Sequence, residues 1–476
     1  VGSLGKLVTE QAGFDDFLSQ IPENKIKSRT YLARVDEFAL GSGYQGLDGW
    51  DMALESGLID GLIEKGLTIA EKLDHVAPRD PSEYLGNSPK EAFYMHGIDL
   101  DDLNLIQSNV GAPSLLTYQI VEFSQPALSV IIYLRMIDLK TMKVLSSELI
   151  KAGDNSDNLA RDEVEAFNDS YDIVKAVIDF PESLFNKDVK LGLLNADVLN
   201  ITGQYKYPPS KKALAIENGI VSGLIDNSGY KKESPVIIEK TSGFKLKFPP
   251  VFNSIVFNTS PILYEDWSEF EKASGCNVLF VYRYIPENGI YIKVVDASDN
   301  GKILYSNAFV FNGRTDKGII ENHNFVAEKL ISTIDLNNIR GKNLMIVDGD
   351  KHAVEAKQYF NIQNTFNEMN LAIEEGMVSG LVENNIDVFE KLKTLYLKRP
   401  WMYDDKIFNL NPLYLDDWNQ LVEFGVERLI VYNNLIPYET LTPTHQHYQK
   451  IALGVRVVDL TTGDIIDVGE ITNLEL

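Results

Sequence analysis

Several segments contain residues whose types and spacing could support chemistry. Gly41–Gly46 reads Gly-x-Gly-x-x-Gly between a predicted strand and a predicted helix, and Glu71 ends the next strand. This order resembles the fingerprint of a dinucleotide site, in which a helix start holds the pyrophosphate. The corresponding loops near Gly203 and Gly349 lack these glycines. A flexible loop is therefore the favoured interpretation, with nucleotide binding as the alternative.

Three further groups of polar residues could bind metal ions or act as acids and bases. Asp296 begins a segment that partly matches a calcium loop, but position twelve is Asn307 where glutamate is required. His445 and His447 would share one strand face as metal ligands, but threonines and a proline beside them favour an exposed loop. The adjacent carboxylates Asp101 and Asp102 point apart on a helix and favour a solvated helix start.

The sequence contains no Gly-x-Ser-x-Gly elbow, Walker loop or His-Glu-x-x-His motif. The single cysteine, Cys276, lies in an apolar context that predicts a buried structural thiol. We therefore expect a protein that is not an enzyme, with no catalytic, cofactor-binding or metal-binding residues and no cofactor.

Three helical segments match almost position for position, and they organise the rest of the chain. Each begins with alanine and carries two glycines four residues apart, at Gly57 and Gly61, Gly219 and Gly223, and Gly376 and Gly380. A glycine inside a helix costs about 1 kcal/mol relative to alanine. Close packing against another element is the favoured reason, and a ligand touching the backbone is the alternative.

Other landmarks follow these helices in the same order. A strand ends in Glu-Lys, an acidic and aromatic helix start follows, and a glycine ends that helix. A tyrosine then falls on a strand, at Tyr118, Tyr282 and Tyr432, where a core position is favoured over a site. Each series closes with alternating apolar residues around a turn, which predicts a hairpin.

The 476 residues are thus predicted to form three tandem α/β (α+β) domains, each a mixed sheet packed with helices and closed by a hairpin. An N-terminal helical segment is predicted at 1–24. The three repeat domains are predicted at 25–155, 185–315 and 338–476, and the two helical connectors between them at 156–184 and 316–337.

This order of elements resembles the CsgG-like and TolB amino-terminal-domain superfamily of bacterial envelope proteins. The segment Ala452–Ile466 is similar to that family's closing hairpin, and Glu390-Lys391 stands where the family has a Glu-Arg strand end. Lysine replaces the family arginine in all three copies. The resemblance implies proteins that work through protein contacts, such as lipoprotein channels, a flagellar ring component and activators of cell-wall synthases.

Composition and charge limit the classes of molecule that this protein can bind. The chain is 44% apolar and 24% charged, which is typical of a globular protein. Its net charge of −25 would repel phosphate backbones, so we expect no nucleic acid partner. No apolar stretch is long enough for a membrane-spanning helix. A lipid anchor upstream of Val1 is compatible with the sequence.

The resemblance implies a scaffold, ring, secretion or appendage accessory at the periplasm or outer-membrane periphery of a Gram-negative bacterium, binding itself or other envelope proteins. The alternative is a periplasmic binding module that regulates a partner enzyme such as a cell-wall synthase. The least polar exposed loops are predicted contact sites, around Tyr44 and Trp50 and around Trp401 and Tyr403.

Overall fold

A computed structural model describes most of the predicted elements. The described residues are 2–34, 49–70, 106–124, 129–178, 180–181, 184, 188–195, 211–228, 236–238, 267–285, 289–312, 319–348, 363–390, 419, 421–435 and 451–473.

The helices of this part of the chain are α1 Gly2–Thr9, α2 Ala12–Ser19, α3 Glu23–Ile26, α4 Gly49–Glu64, α5 Arg161–Asp172, α6 Lys211–Ser228, α7 Trp267–Ser274, α8 Ile319–Thr333 and α9 Gln363–Glu383. Shorter helical turns are Ile106–Val110, Ser156–Asn158, Ile173–Val177 and Leu336–Asn338.

The strands are β1 Arg29–Arg34, β2 Thr68–Ala70, β3 Ser114–Ser124, β4 Ser129–Asp138, β5 Lys143–Ala152, β6 Lys190–Asn195, β7 Val236–Ile238, β8 Val278–Ile285, β9 Gly289–Asp296, β10 Lys302–Val310, β11 Leu344–Asp348, β12 Arg428–Asn434, β13 Ala452–Asp459 and β14 Ile465–Thr472.

The chain divides into two compact units. Unit 1 comprises Val1–Leu193, Tyr205–Leu246 and Ala273–Cys276, and unit 2 comprises Leu194–Gln204, Lys247–Lys272 and Asn277–Leu476. The division falls inside the predicted second repeat. The three-domain boundaries therefore stay a prediction.

The strands of unit 1 run in the order β6-β7-β5-β4-β3-β1-β2. β1 pairs in parallel with both β2 and β3, and β3, β4 and β5 form an antiparallel meander. β7 pairs in parallel with β6, and its Ile238 bridges to Lys143 of β5. The result is a mixed sheet.

In unit 2, β8, β9 and β10 are antiparallel neighbours, and a second sheet has the order β11-β12-β13-β14. Its first pair is parallel and the rest antiparallel. The short segment 387–389 bridges Leu344 of β11 in parallel and Lys302 of β10 in antiparallel fashion. Mixed sheets packed with helices confirm the predicted fold class.

Apolar side chains fill both faces of the unit 1 sheet. Phe14, Phe17 and Leu58 from the helices pack on one face, and Ile106 and Val110 from the short helical turn pack on the other. Burial of such side chains is the main stabilising term, at about 25 cal/mol per Å². The sheet is therefore covered on both sides by elements of the same unit.

Glycine ends the short helical segment before β3, β8 and β12. Gly111, Gly275 and Gly425 have φ values of 67°, 71° and 92°. This left-handed conformation is unfavourable for residues with a Cβ atom and common at helix C-termini. It redirects the chain into the strand that begins a few residues later.

Candidate functional site

Most of the predicted reactive and contact positions lie outside the described residues. These are the Gly41–Gly46 loop with Tyr44, the Asp101 and Asp102 pair, Trp401, Tyr403, His445 and His447. Trp50 lies in the first turn of α4, because this helix already begins at Gly49. Its predicted loop position is therefore corrected to a helical one.

The predicted calcium-like loop is a hairpin turn between β9 and β10. Asp296 Oδ1 accepts hydrogen bonds from the backbone N–H of Ser298 at 2.9 Å, from the Ser298 hydroxyl at 2.6 Å and from the backbone N–H of Asp299 at 3.2 Å. Asp459 receives the same backbone and hydroxyl bonds from Thr461. This carboxylate oxygen therefore stabilises its own turn, as aspartate commonly does.

The single cysteine is buried in unit 1. Cys276 is 3% exposed, and burial raises the pKa of its thiol to about 12. A thiol in this state is a poor nucleophile near neutral pH. The predicted structural interpretation is confirmed.

The three strand tyrosines are core residues, with at most 2% of each side chain exposed. The Tyr118 hydroxyl donates to Glu55 Oε2 at 2.6 Å, and the Tyr432 hydroxyl donates to Glu374 Oε2 at 3.1 Å. Each glutamate lies two residues before the first glycine of its helix. These pairs attach a glycine-bearing helix to the strand beneath it.

The glycine faces of α4, α6 and α9 lie directly on another helix. A Cβ atom on Gly376 would be 2.5 Å from the His323 carbonyl oxygen of α8, and one on Gly380 would be 2.5 Å from that of Ala327. On α6, a Cβ atom on Gly223 would be 2.8 Å from the Tyr171 carbonyl oxygen of α5, and one on Gly219 would collide with Phe167.

The first copy has the same type of contact. A Cβ atom on Gly61 of α4 would collide with Thr9 of α1, and one on Gly5 of α1 would meet the backbone of α4, including Gly57. The glycines therefore allow backbone-to-backbone contact between helices.

A second contact of α6 forms what we call the first seam, in which α6 lies on β5 of unit 1 and is joined to β4 through Arg135. Arg135 Nη2 donates to Asn218 Oδ1 at 2.8 Å. The Ser222 hydroxyl donates to the Ser147 carbonyl oxygen at 2.8 Å. Arg135 and Ser147 are directly opposite each other in the β4–β5 pair. The seam thus joins the end of one predicted copy to the glycine helix of the next.

The second seam lies in unit 2, where α9 packs on β10 beside β9. Lys293 Nζ contacts Glu375 Oε1 at 2.6 Å and Glu390 Oε2 at 2.8 Å. The Ser379 hydroxyl donates to Ser306 Oγ at 3.1 Å. The side chains of the Lys293 ion pairs are only 11–13% exposed.

Histidine 323 extends this buried network. Its Nε2 is 3.0 Å from the Ser379 hydroxyl, and its Nδ1 is 2.9 Å from Asn324 Oδ1. His323 and Ser379 are each 1% exposed. A serine beside a histidine can serve as a nucleophile with its base, but substrate must reach it. Here the pair is enclosed between α8, α9 and β10.

Burial controls the protonation of the second seam. Burial alone would lower the pKa of Lys293, but the carboxylates of Glu375 and Glu390 outweigh this effect and raise it. Burial lowers the pKa of His323 to about 4. At neutral pH the lysine is therefore charged and the histidine neutral, which suits a fixed structural network.

Sequence reasoning missed the seam residues, although a signal for them exists. Arg135, Lys293 and Arg456 each stand three residues before the aspartate that begins the closing turn. The helix partners Asn218 and Glu375 each directly precede the first glycine of their helix. The two signals lie about 80 residues apart, and only the folded structure connects them.

Comparisons with known proteins give limited information. No protein-family model matches the chain, and no curated protein matches it. Among solved structures, the LpoB C-terminal domain from Salmonella enterica is 16% identical, with a TM-score of 0.19. The LpoB C-terminal domain from Escherichia coli is 15% identical, with a TM-score of 0.18.

Each of these two matches covers 32% of this chain and 96% of the LpoB domain. At these TM-scores the matches decide neither fold nor function. The CsgG-like and TolB-like resemblance stays a prediction, since no family model supports it.

No group of three or more His, Cys, Asp or Glu side chains that could hold a metal ion is found among the described residues. In the same part of the chain, no helix is long and apolar enough to cross a membrane.

Proposed function

We propose that this chain is a non-catalytic protein of the bacterial cell envelope that works through contacts with other proteins, as an assembly or scaffold component. The observation that carries the proposal is that reactive side chains of this chain are buried in structural contacts. Lys293, His323 and Ser379, which could do acid–base or nucleophilic chemistry, are buried partners of a packed seam. Groups held in this way stabilise the body of a protein and do not meet a substrate.

The proposal includes three tandem copies of one domain. Its support in the first two copies is the order of strand, glycine helix, short strand, helical segment and three strands, the last two of which form a hairpin. The third copy keeps the strand, the glycine helix and the three closing strands, and its segment 387–389 makes isolated bridges where the others have the short strand. The two seams also place a basic strand residue against the position before the first helix glycine. Tandem copies of one domain present the same type of surface more than once.

A second candidate is a periplasmic module that regulates a partner enzyme such as a cell-wall synthase. The resemblance to the CsgG-like and TolB superfamily favours it equally, because that superfamily contains such activators. The two candidates differ in stoichiometry. A scaffold forms higher oligomers by itself, whereas a regulator stays monomeric until it meets its partner.

The proposed location is the periplasm or the outer-membrane periphery of a Gram-negative bacterium. It rests on the same resemblance. The contact residues proposed from sequence are Tyr44, Trp50, Trp401 and Tyr403, and alanine substitution of each tests them.

Light scattering combined with pull-down from envelope extract tests the function. We expect either self-association or retention of a specific envelope protein that survives at physiological salt. Bovine serum albumin on the same resin is the control. A protein that remains monomeric and retains no envelope partner, or that turns over a nucleotide or sugar substrate, contradicts the proposal.

A further inference from the structure

The two seams follow one rule in the strand pairing. The basic residue of the hairpin lies directly opposite a small residue of the last strand: Arg135 opposite Ser147 and Lys293 opposite Ser306. The next glycine helix covers both members of each pair. Ser147 and Ser306 are consequently 1% and 2% exposed.

The last hairpin repeats this strand pairing, but the position opposite its basic residue is exposed. Arg456 of β13 lies opposite Val468 of β14, so the valine occupies the position of the two serines. Val468 is 67% exposed. Ile465, which lies opposite Val458, is 58% exposed, whereas its counterparts in β5 and β10, Val144 and Ile303, are 3% and 4% exposed.

The first glycine helix shows the complementary difference. Ser56 and Asp60 of α4 are exposed, and Ile63 is 54% exposed. The counterparts of Ser56, which directly precedes the first glycine, are Asn218 on α6 and Glu375 on α9, and both are buried. The counterparts of Asp60, three residues after that glycine, are Ser222 and Ser379, and they are also buried. The α4 face of Ser56, Asp60 and Ile63 therefore has the position of a seam surface and no strand against it among the described residues.

We infer that the β14 face of one molecule, formed by Ile465 and Val468 of β14 beside Arg456 of β13, docks on the α4 face of a second copy of this chain. The contact between two molecules has the same arrangement as the seams within one molecule, and it joins the molecules head to tail. This inference rests on the three-copy proposal. It names the partner as another copy and names the two surfaces that meet.

Charge and hydrophobicity both favour this occupant. The basic residue of each internal seam meets the helix residue before the first glycine, which is Ser56 on α4. Asp60 places a carboxylate one helical turn further on, on the same exposed face of the helix. Docking also removes the exposed side chains of Ile465, Val468 and Ile63 from water, which stabilises the contact.

The strand edges match in the same way. In the internal joins, the last strand of one copy bridges to the short strand of the next, at Lys143 with Ile238 and at Lys302 with Phe389. Among the described strands, the equivalent strands β14 and β2 each stand at the end of their strand order. A strand at the edge of a sheet readily accepts another strand. A head-to-tail contact has two different surfaces and so builds chains or rings and not closed two-fold dimers.

Sedimentation velocity of the full chain from about 1 to 100 µM, a range suited to moderate affinities, tests the inference. Wild-type protein is expected to sediment faster as its concentration rises. Val468→Lys places a cation beside Arg456 on the β14 face, and Asp60→Arg reverses the charge of the α4 face. Each substitution is expected to weaken self-association at least about tenfold. Val422→Lys, at another exposed valine, is the matched control and should associate like wild type.

Mixing the two variants gives the sharpest result. Val468→Lys keeps an intact α4 face, and Asp60→Arg keeps an intact β14 face. Together they are expected to form a one-to-one dimer that grows no further. Unchanged circular dichroism and melting temperature will show that both variants are folded, since both positions are exposed.

Three outcomes overturn the inference: wild-type protein that stays monomeric over the whole range, variants that associate as tightly as wild type, or a mixture that forms no dimer. A monomer that still retains an envelope partner contradicts this inference but not the proposed function. Turnover of a substrate contradicts the proposed function whatever the oligomeric state.

Discussion

The contact between α8 and α9 gives a quantitative prediction for Gly376→Ala. The new Cβ atom would lie 2.5 Å from the His323 carbonyl oxygen and 3.2 Å from the adjacent carbonyl carbon. Ordinary contacts of this kind begin near 3.4 Å, so the helices must separate by nearly 1 Å. Overpacking of this size costs about 1–3 kcal/mol. The higher helix propensity of alanine offsets about 1 kcal/mol.

The expected net loss of stability relative to wild type is therefore up to about 2 kcal/mol. In a unit of this size, a loss of about 2 kcal/mol lowers the melting temperature by about 4–8 °C, which differential scanning calorimetry can measure. Gly13→Ala is the control, because its nearest neighbours, Glu148 and Leu149, would be 3.9 Å from the new Cβ atom. We expect that variant to match or slightly exceed wild-type stability. A Gly376→Ala protein as stable as the control would refute close helix packing and favour a role for this face in ligand binding.

Three further predictions concern buried groups. Lys293→Met should lower the free energy of unfolding of unit 2 by about 3–5 kcal/mol in urea, because it leaves the carboxylates of Glu375 and Glu390 buried without a cation. Adding Glu375→Gln and Glu390→Gln should recover most of this loss. A triple variant that recovers nothing would refute the ion-pair explanation. His323 has a folded pKa of about 4 against an ordinary 6.5, so only the unfolded state gains its proton between these values. The free energy of unfolding should thus fall by about 3 kcal/mol as the pH drops from 6.5 to 4. This fall should be smaller in His323→Gln. A His323→Gln protein with the same pH profile as wild type would contradict the argument. The Cys276 thiol should react with Ellman's reagent only when urea unfolds unit 1, and fast labelling of native protein would show that it is accessible.

Local patterns were sufficient to predict much of the fold. The turn aspartates and alternating apolar residues marked the closing hairpins, because a hairpin is determined by neighbouring residues. The positions of Gly111, Gly275 and Gly425 marked helix ends for the same reason. The buried state of Tyr118 and of Cys276 followed from their apolar strand context.

Long-range partners could not be predicted. Arg135 and Asn218 are 83 positions apart, and nothing local to either residue names the other. The bridge between Lys302 and Phe389 likewise depends on how one predicted copy meets the next. The sequence supplied the glycine pairs, but whether a helix, a sheet or a ligand lay against them required the fold. The fold was also needed to show that the seam positions are buried, whereas their counterparts Val468 and Asp60 are exposed.

Hydrogen exchange of the full chain at low and high concentration tests the central claim most directly. That claim is that the protein works through contacts, and that the uncovered seam surfaces make them. Amides of β14 and of residues 60–70 should gain protection at high concentration, while those of β4 and β9, already inside the unit sheets, should stay unchanged. Equal exchange of β14 and 60–70 at both concentrations, or protection confined to other segments, would contradict the account.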